Sequence, residues 1–183
     1  MPKPTEHDLS FVNYLVNLSK REDRAALAAL RRGLGKPPGT APEMFKWVVS
    51  WTSGLSRAQA ENLFLVASLF GMHPENTESG NIGTAFATIR GQDLGGGEST
   101  EKRFVALLSA NYTDLPNHLR HAIGLARSKK VPVNYAQLLA DLRYWNAESR
   151  TVQRDWAREF WTRPEAAGKE AAGAGESSAN AQN

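Results

Sequence analysis

No cysteine occurs among the 183 residues. That absence excludes disulfides, thiolate nucleophiles, thiolate zinc sites and iron–sulfur clusters, and it fits a cytoplasmic protein. No stretch approaches the roughly 18 consecutive apolar residues that span a bilayer, so no membrane partner is expected. The first twenty residues carry Glu6, His7, Asp8 and Asn13 and no long apolar run, so a signal peptide is not expected either. Period-two alternation of apolar and polar residues is essentially missing, which leaves little support for strands. Histidine is scarce, at four. Only His118 and His121 lie close together, three apart on one helical pattern, a spacing that can set two metal ligands on one face. No acidic neighbour completes a ligand set, so the expected state is a solvated or packed pair, and neither a metal nor another cofactor is expected.

Other catalytic arrangements fail for similar reasons. Gly91 to Gly97 superficially looks like a phosphate cradle, but no strand precedes it and no Lys-Ser or Lys-Thr pair follows, so it is not a P-loop. Carboxylates used as general acids or bases need burial to shift their proton affinity, and nothing in the sequence points to buried carboxylates. Ser56, Ser99 and Ser149 are explained as helix caps. An enzyme is the weakest reading of this chain.

What the sequence does contain is helical periodicity. With 41% hydrophobic residues, most of the chain can bury a core. Apolar positions recur at helical spacing in about nine short segments separated by Gly and Pro. The first runs from about Asp8 to Lys20, with Phe11, Leu15 and Leu18 on one face. The second covers about 22–34, and the third starts near Pro42 with Met44, Trp47, Val48 and Trp51. Ser56 caps the fourth, and a short fifth carries Ile82, Phe86 and Ile89. Ser99 is expected to cap the sixth, which carries Phe104, Leu107 and Leu108. Asp114-Leu115-Pro116 opens the seventh, Asn134 caps the eighth and Ser149 is expected to cap the ninth, which carries Val152, Trp156 and Phe160. The expected fold is all-α, with these helices in two packed bundles. Residues 1–97 form an N-terminal helical subdomain ending in a glycine-rich hinge over Gly91 to Gly97, and residues 98–163 form a basic C-terminal one. Residues 164–183 lack Leu, Ile, Val and aromatics and are expected to be a disordered tail.

Charge is unevenly placed. Residues 1–101 hold 10 Lys and Arg against 11 Asp and Glu, whereas residues 102–163 hold 11 against 5. A half-chain with twice as many cations as anions suits an anionic partner. On a helical wheel Arg120 and Arg127 share a stripe with Asn117 and Gly124, opposite Leu119 and Ile123. Arg150, Arg154 and Arg158 align four apart. Lys102 points away from Phe104 and Leu108 with Arg103 at its flank, and Lys129-Lys130 follows Arg127. In the N-terminal half Arg31-Arg32 precedes a Gly-Pro turn. Arginine's planar fork of donors suits phosphate oxygens, so several such faces suit a polyanion. Asp155 and Glu159 can pair with Arg154 and Arg158 at the surface. Trp161 falls on the basic side of its helix, where a partner interface is favoured.

Several strings carry a family resemblance. Glu101-Lys102-Arg103-Phe104-Val105-Ala106-Leu107-Leu108, Leu119-Arg120-His121, Tyr135-Ala136-Gln137-Leu138-Leu139 with Asp141-Leu142 and Trp145, Trp156-Ala157-Arg158-Glu159-Phe160-Trp161, and Leu30-Arg31-Arg32 with its turn appear in the chain. Together, over about residues 8–161, they resemble the CasB family, the small subunit of the type I-E CRISPR surveillance complex Cascade. The resemblance implies two helical subdomains and no catalytic activity. It also implies two copies packed head to tail beside the backbone and large subunits, where basic side chains support guide RNA paired to target DNA and the displaced, non-target strand of the R-loop. Carried over by motif, the nucleic-acid contacts fall on Arg31, Arg32, Lys102, Arg103, Arg120 and, less directly, Arg150; charge placement adds Arg127, Lys129 and Lys130. Relatives often carry Arg where this chain has Thr84, and Arg90 is the candidate substitute. Two other classes compete. A helix-turn-helix regulator would read duplex DNA with a recognition helix, and a helical adaptor would set the basic face against acidic protein.

Overall fold

A computed structural model describes residues 1–92 and 97–162. The expected tail over 164–183 and the centre of the expected glycine hinge, residues 93–96, lie outside the described residues. Among the described residues nine α-helices form and no β-strand. They are α1 (Glu6–Lys20), α2 (Arg24–Arg31), α3 (Phe45–Val48, flanked by 3₁₀ turns over Pro42–Met44 and Val49–Thr52), α4 (Arg57–Met72), α5 (Ile82–Gln92), α6 (Glu98–Ser109), α7 (Leu115–Ser128), α8 (Tyr135–Leu142) and α9 (Thr151–Trp161). The fold is all-α, as the periodicity predicts. A single isolated bridge, Asn76 with Val133, is the only β-type pairing among the described residues.

The start signals act as written at several helices. Thr5 and Asp8 form a reciprocal capping box on α1, Ser56 and Gln59 do the same on α4, and the Asn134 side chain accepts from the Gln137 amide to start α8. Two expected caps are wrong. Gly97, at φ 71°, is the N-cap of α6, so Ser99 lies inside the first turn, where Glu98 and Glu101 complement the helix dipole. Arg150, at φ 47°, is the N-cap of α9, and the Ser149 hydroxyl pairs with that of Thr151 instead. Helix α2 is also shorter than its periodicity suggests. Its last amides turn to i−3 carbonyls from Arg32 to Leu34, tightening the chain into the glycine-bearing turn.

Helices from both sides of residues 93–96 pack together. Helix α4 lies against α2, α7 and α8, α1 against α8, and α5 against α9. The α5–α9 approach is close because Gly83 has no side chain: a Cβ there would overlap the Trp156 carbonyl oxygen. Aromatic rings join the layers, with Phe86 5.0 Å from Phe104, Phe104 4.3 Å from Phe160, and Trp145 5.0 Å from Trp156 between centroids.

Buried carboxylates are present, contrary to the sequence reading. Asp8 is fully buried and pairs with Arg143 as well as capping α1. Asp141, on the inner face of α8, accepts from Gln137 Nε2 at 2.8 Å and from Trp156 Nε1 at 2.6 Å. Asp155 pairs with the Met1 α-amino group at 2.9 Å and with Arg158 at 3.0 Å. Each has protein partners that explain its burial.

Candidate nucleic-acid interface

The basic side chains singled out in the sequence fall into four groups. In the first, α6 and α7 cross so that Arg103 and Arg120 line one cleft of about 790 Å³. Leu34, Met72, Phe86 and Leu125 supply its apolar wall, and His118, His121 and Ser128 face it too. Arg120 is half-buried and also borders a neighbouring cleft of about 390 Å³, whose lining includes Lys36, Pro37, Phe64 and Tyr112. Its guanidinium rests on the glycine turn after Arg31-Arg32: a Cβ at Gly35, where φ is +75°, would stand 3.3 Å from Nη1. Arg120 thus sits where the basic turn of the N-terminal half meets α7. Arg31 and Arg32 are exposed at the end of α2, with the Arg31 Nε donating to the Leu27 carbonyl at 3.3 Å.

Lys102 belongs elsewhere. Adjacent helical residues point about 100° apart, and Lys102, unlike Arg103, does not line this cleft. Lys102 is exposed and pairs with Glu98 at 2.6 Å, an i,i+4 contact of little energetic weight. Arg127 and Lys130 are exposed and Lys129 half-buried at the C-terminal end of α7, where positive charge complements the helix dipole. Arg150 is exposed but donates to the Leu108 carbonyl, tying the end of α6 to the start of α9. That contact gives it a structural task beside any ligand.

The doubtful positions are also placed. Thr84 and Asn81 bond reciprocally across the start of α5, so the threonine acts as a capping partner. Arg90 lies over the Phe160 ring at 4.4 Å. Trp161 is partly exposed and stacks edge-on against Phe104 and Phe160. Arg158 pairs with Asp155, as its spacing allows. His118 and His121, read from the sequence as a solvated or packed pair, are half-buried and exposed respectively and line the same cleft. Their i,i+3 spacing was visible, but their facing of Arg103 depends on how α6 crosses α7.

The fold and this surface define an all-helical protein in which Arg103 of α6 and Arg120 of α7 line one cleft beside the turn that follows α2. The chain matches the family model of CRISPR-associated protein Cse2 over residues 26–161. It is 32% identical over 154 residues to a CRISPR-associated protein Cse2 from Thermus thermophilus, covering 82% of this chain and 88% of that one. Its fold matches the crystal structure of CasB from Thermus thermophilus with a TM-score of 0.73 at 30% identity, covering 84% of this chain and 97% of that one. It matches a chain of a CRISPR RNA-guided surveillance complex with a TM-score of 0.74 at 25% identity, covering 85% and 91%. The chain belongs to the CRISPR-associated Cse2 family.

Proposed function

We propose that this protein is a non-catalytic subunit of an RNA-guided CRISPR surveillance complex that holds nucleic-acid backbone. In this reading it packs beside the backbone and large subunits and a second copy of itself, and it steadies guide RNA paired to target DNA and the displaced strand of the R-loop. The observation that carries the reading is the convergence of Arg103 and Arg120 on one cleft, beside the turn that follows Arg31-Arg32, in a chain of this family. Lys102, Arg127, Lys129, Lys130 and Arg150 add further cations to residues 98–163 outside that cleft. Contacts to phosphate position a strand without reading its sequence, which suits a complex whose guide reads sequence by pairing.

The connections of the cationic half argue against a helix-turn-helix regulator, although the three-residue segment 21–23 between α1 and α2 has that motif's length. The segments 110–114 and 129–134 that join α6 to α7 and α7 to α8 exceed that motif's turn of roughly three or four residues. The test is reconstitution with and without this subunit. The complex lacking it should retain guide RNA but release target DNA faster, and the protein alone should bind scrambled strands equally well. Unchanged target retention, or strong preference for one sequence by the protein alone, contradicts the reading.

A further inference from the structure

We propose that the cleft of about 390 Å³ between residues 33–39, α4 and the start of α7 binds a small amphiphilic anion, an apolar ring carrying one carboxylate. Small-molecule sites are concavities of roughly 300–1,000 Å³ with apolar walls and a few convergent polar groups. This cleft is built that way. Phe64, Leu65 and Leu115 present apolar surface to it from α4 and α7. Pro37 and Pro38 supply a further wall, bracketed by Gly35 and Gly39 at φ +75° and +82°. Left-handed backbone on both sides of two prolines of fixed φ makes that wall preformed.

The polar groups select the charge of the ligand. Arg120, Lys36 and Glu61 are the charged side chains of the described lining. Glu61 is bonded at 2.8 Å by Arg57, which stands outside the lining, so the charge left to meet a ligand is positive. The fork of Arg120 suits a carboxylate. Asn62 adds a second, independent pointer. It is only 5% exposed, and its Oδ1 accepts from the Tyr112 hydroxyl at 2.9 Å. Its amide nitrogen has no hydrogen-bond partner among the described residues, whereas buried polar groups are normally paired. A second void that Asn62 borders measures about 10 Å³, at most the space of one water, so the larger cleft is where a ligand can reach it. Arg120 borders both this cleft and the one it shares with Arg103. A ligand here therefore competes with phosphate for one guanidinium; this coupling, unlike the site itself, rests on the backbone-binding reading above.

The experiment titrates the full chain with 3-benzoylpropionate, whose ketone can accept from Asn62, and with its neutral amide, following amide shifts by NMR and melting temperature. The carboxylate should bind saturably, shifting the Gly35 and Gly39 amides and the Asn62 side-chain amide, and the neutral analogue should bind about tenfold more weakly. R120Q should lose about tenfold in affinity, and K36Q, at an exposed position, should lose part even if R120Q folds poorly. R103Q, outside this lining, should bind the probe as wild type does. Saturating probe should weaken binding of a scrambled single strand by wild type by about tenfold. No saturable shift at these glycines overturns the site. Equal binding of acid and amide overturns the anionic class, and undiminished binding by both R120Q and K36Q overturns the cation assignment. Probe binding that leaves strand affinity unchanged overturns the sharing of Arg120. Probe binding as predicted with no strand binding at all overturns the backbone-binding reading and supports the site.

Discussion

Asp141 shows what single residues decide in this fold. Burial pushes its carboxyl up from 3.8 to about 6, while the bonds from Trp156 and Gln137 hold it down and Asp155 adds to the rise. The folded-state value lies above the unfolded one, so folding takes up a proton between them. Stability from this group is therefore greatest below about pH 4 and declines as pH rises toward about 6, by up to about 2–3 kcal/mol. Asp141→Asn should remove that pH dependence, because it cannot titrate. At neutral pH its amide nitrogen faces one of two N–H donors, leaving a buried donor unpaired at a cost of about 1–3 kcal/mol. Urea melts at about pH 4 and about pH 7 check both effects. The sequence reading passed over this carboxylate, although Gln137 and Asp141 lie i,i+4 within the apolar run Tyr135 to Leu142. The third partner, Trp156, is fifteen residues away and reaches Asp141 only through tertiary packing. For the same reason wheel geometry identified Arg103 and Arg120 as surface cations but not as lining one cleft.

At the scale of elements, helical faces were legible and several helix starts were not. Phe11, Leu15 and Leu18, or Val152, Trp156 and Phe160, bury as their spacing predicts, because a four-residue repeat constrains the whole face. The missed starts of α6 and α9 depend on left-handed backbone at Gly97 and Arg150, which competes with a serine nearby. The close approach of α5 and α9 was likewise invisible, because Gly83 inside a helical pattern reads as a weak helix former. Gly83→Ala should force the helices apart and cost about 3 kcal/mol, at the upper end for overpacking. Gly91, in the same helix, has no atom of the described residues within 4 Å of a would-be Cβ. Gly91→Ala should be neutral or stabilise by up to about 1 kcal/mol through helix propensity. Denaturant midpoints of the two variants should move in opposite directions or differ widely; similar losses would show that the contact at Trp156 is not what makes Gly83 necessary.

Across the whole molecule, charge segregation is the property with functional content. The sequence located the excess of cations in residues 102–163, and the fold adds a meeting point for part of it beside the α2 turn. Arg150 and Lys102 show the limit of counting, since one is tied to the Leu108 carbonyl and the other to Glu98. The central claim, that this surface holds phosphate backbone, is tested most directly by the salt dependence of strand binding. Wild type should be compared with Lys102→Ala/Arg103→Ala/Arg120→Gln, in which glutamine retains part of the half-buried Arg120 stem. If all three touch phosphate, the log–log salt slope should become shallower by about two to three, equally for scrambled strands. The melting temperature should move little, because surface changes usually cost within about 0.5 kcal/mol each. A control triple at the exposed Lys3, Lys20 and Lys46 should leave the slope nearly unchanged. Equal slope changes in the two triples, or no change in the first, would contradict the account.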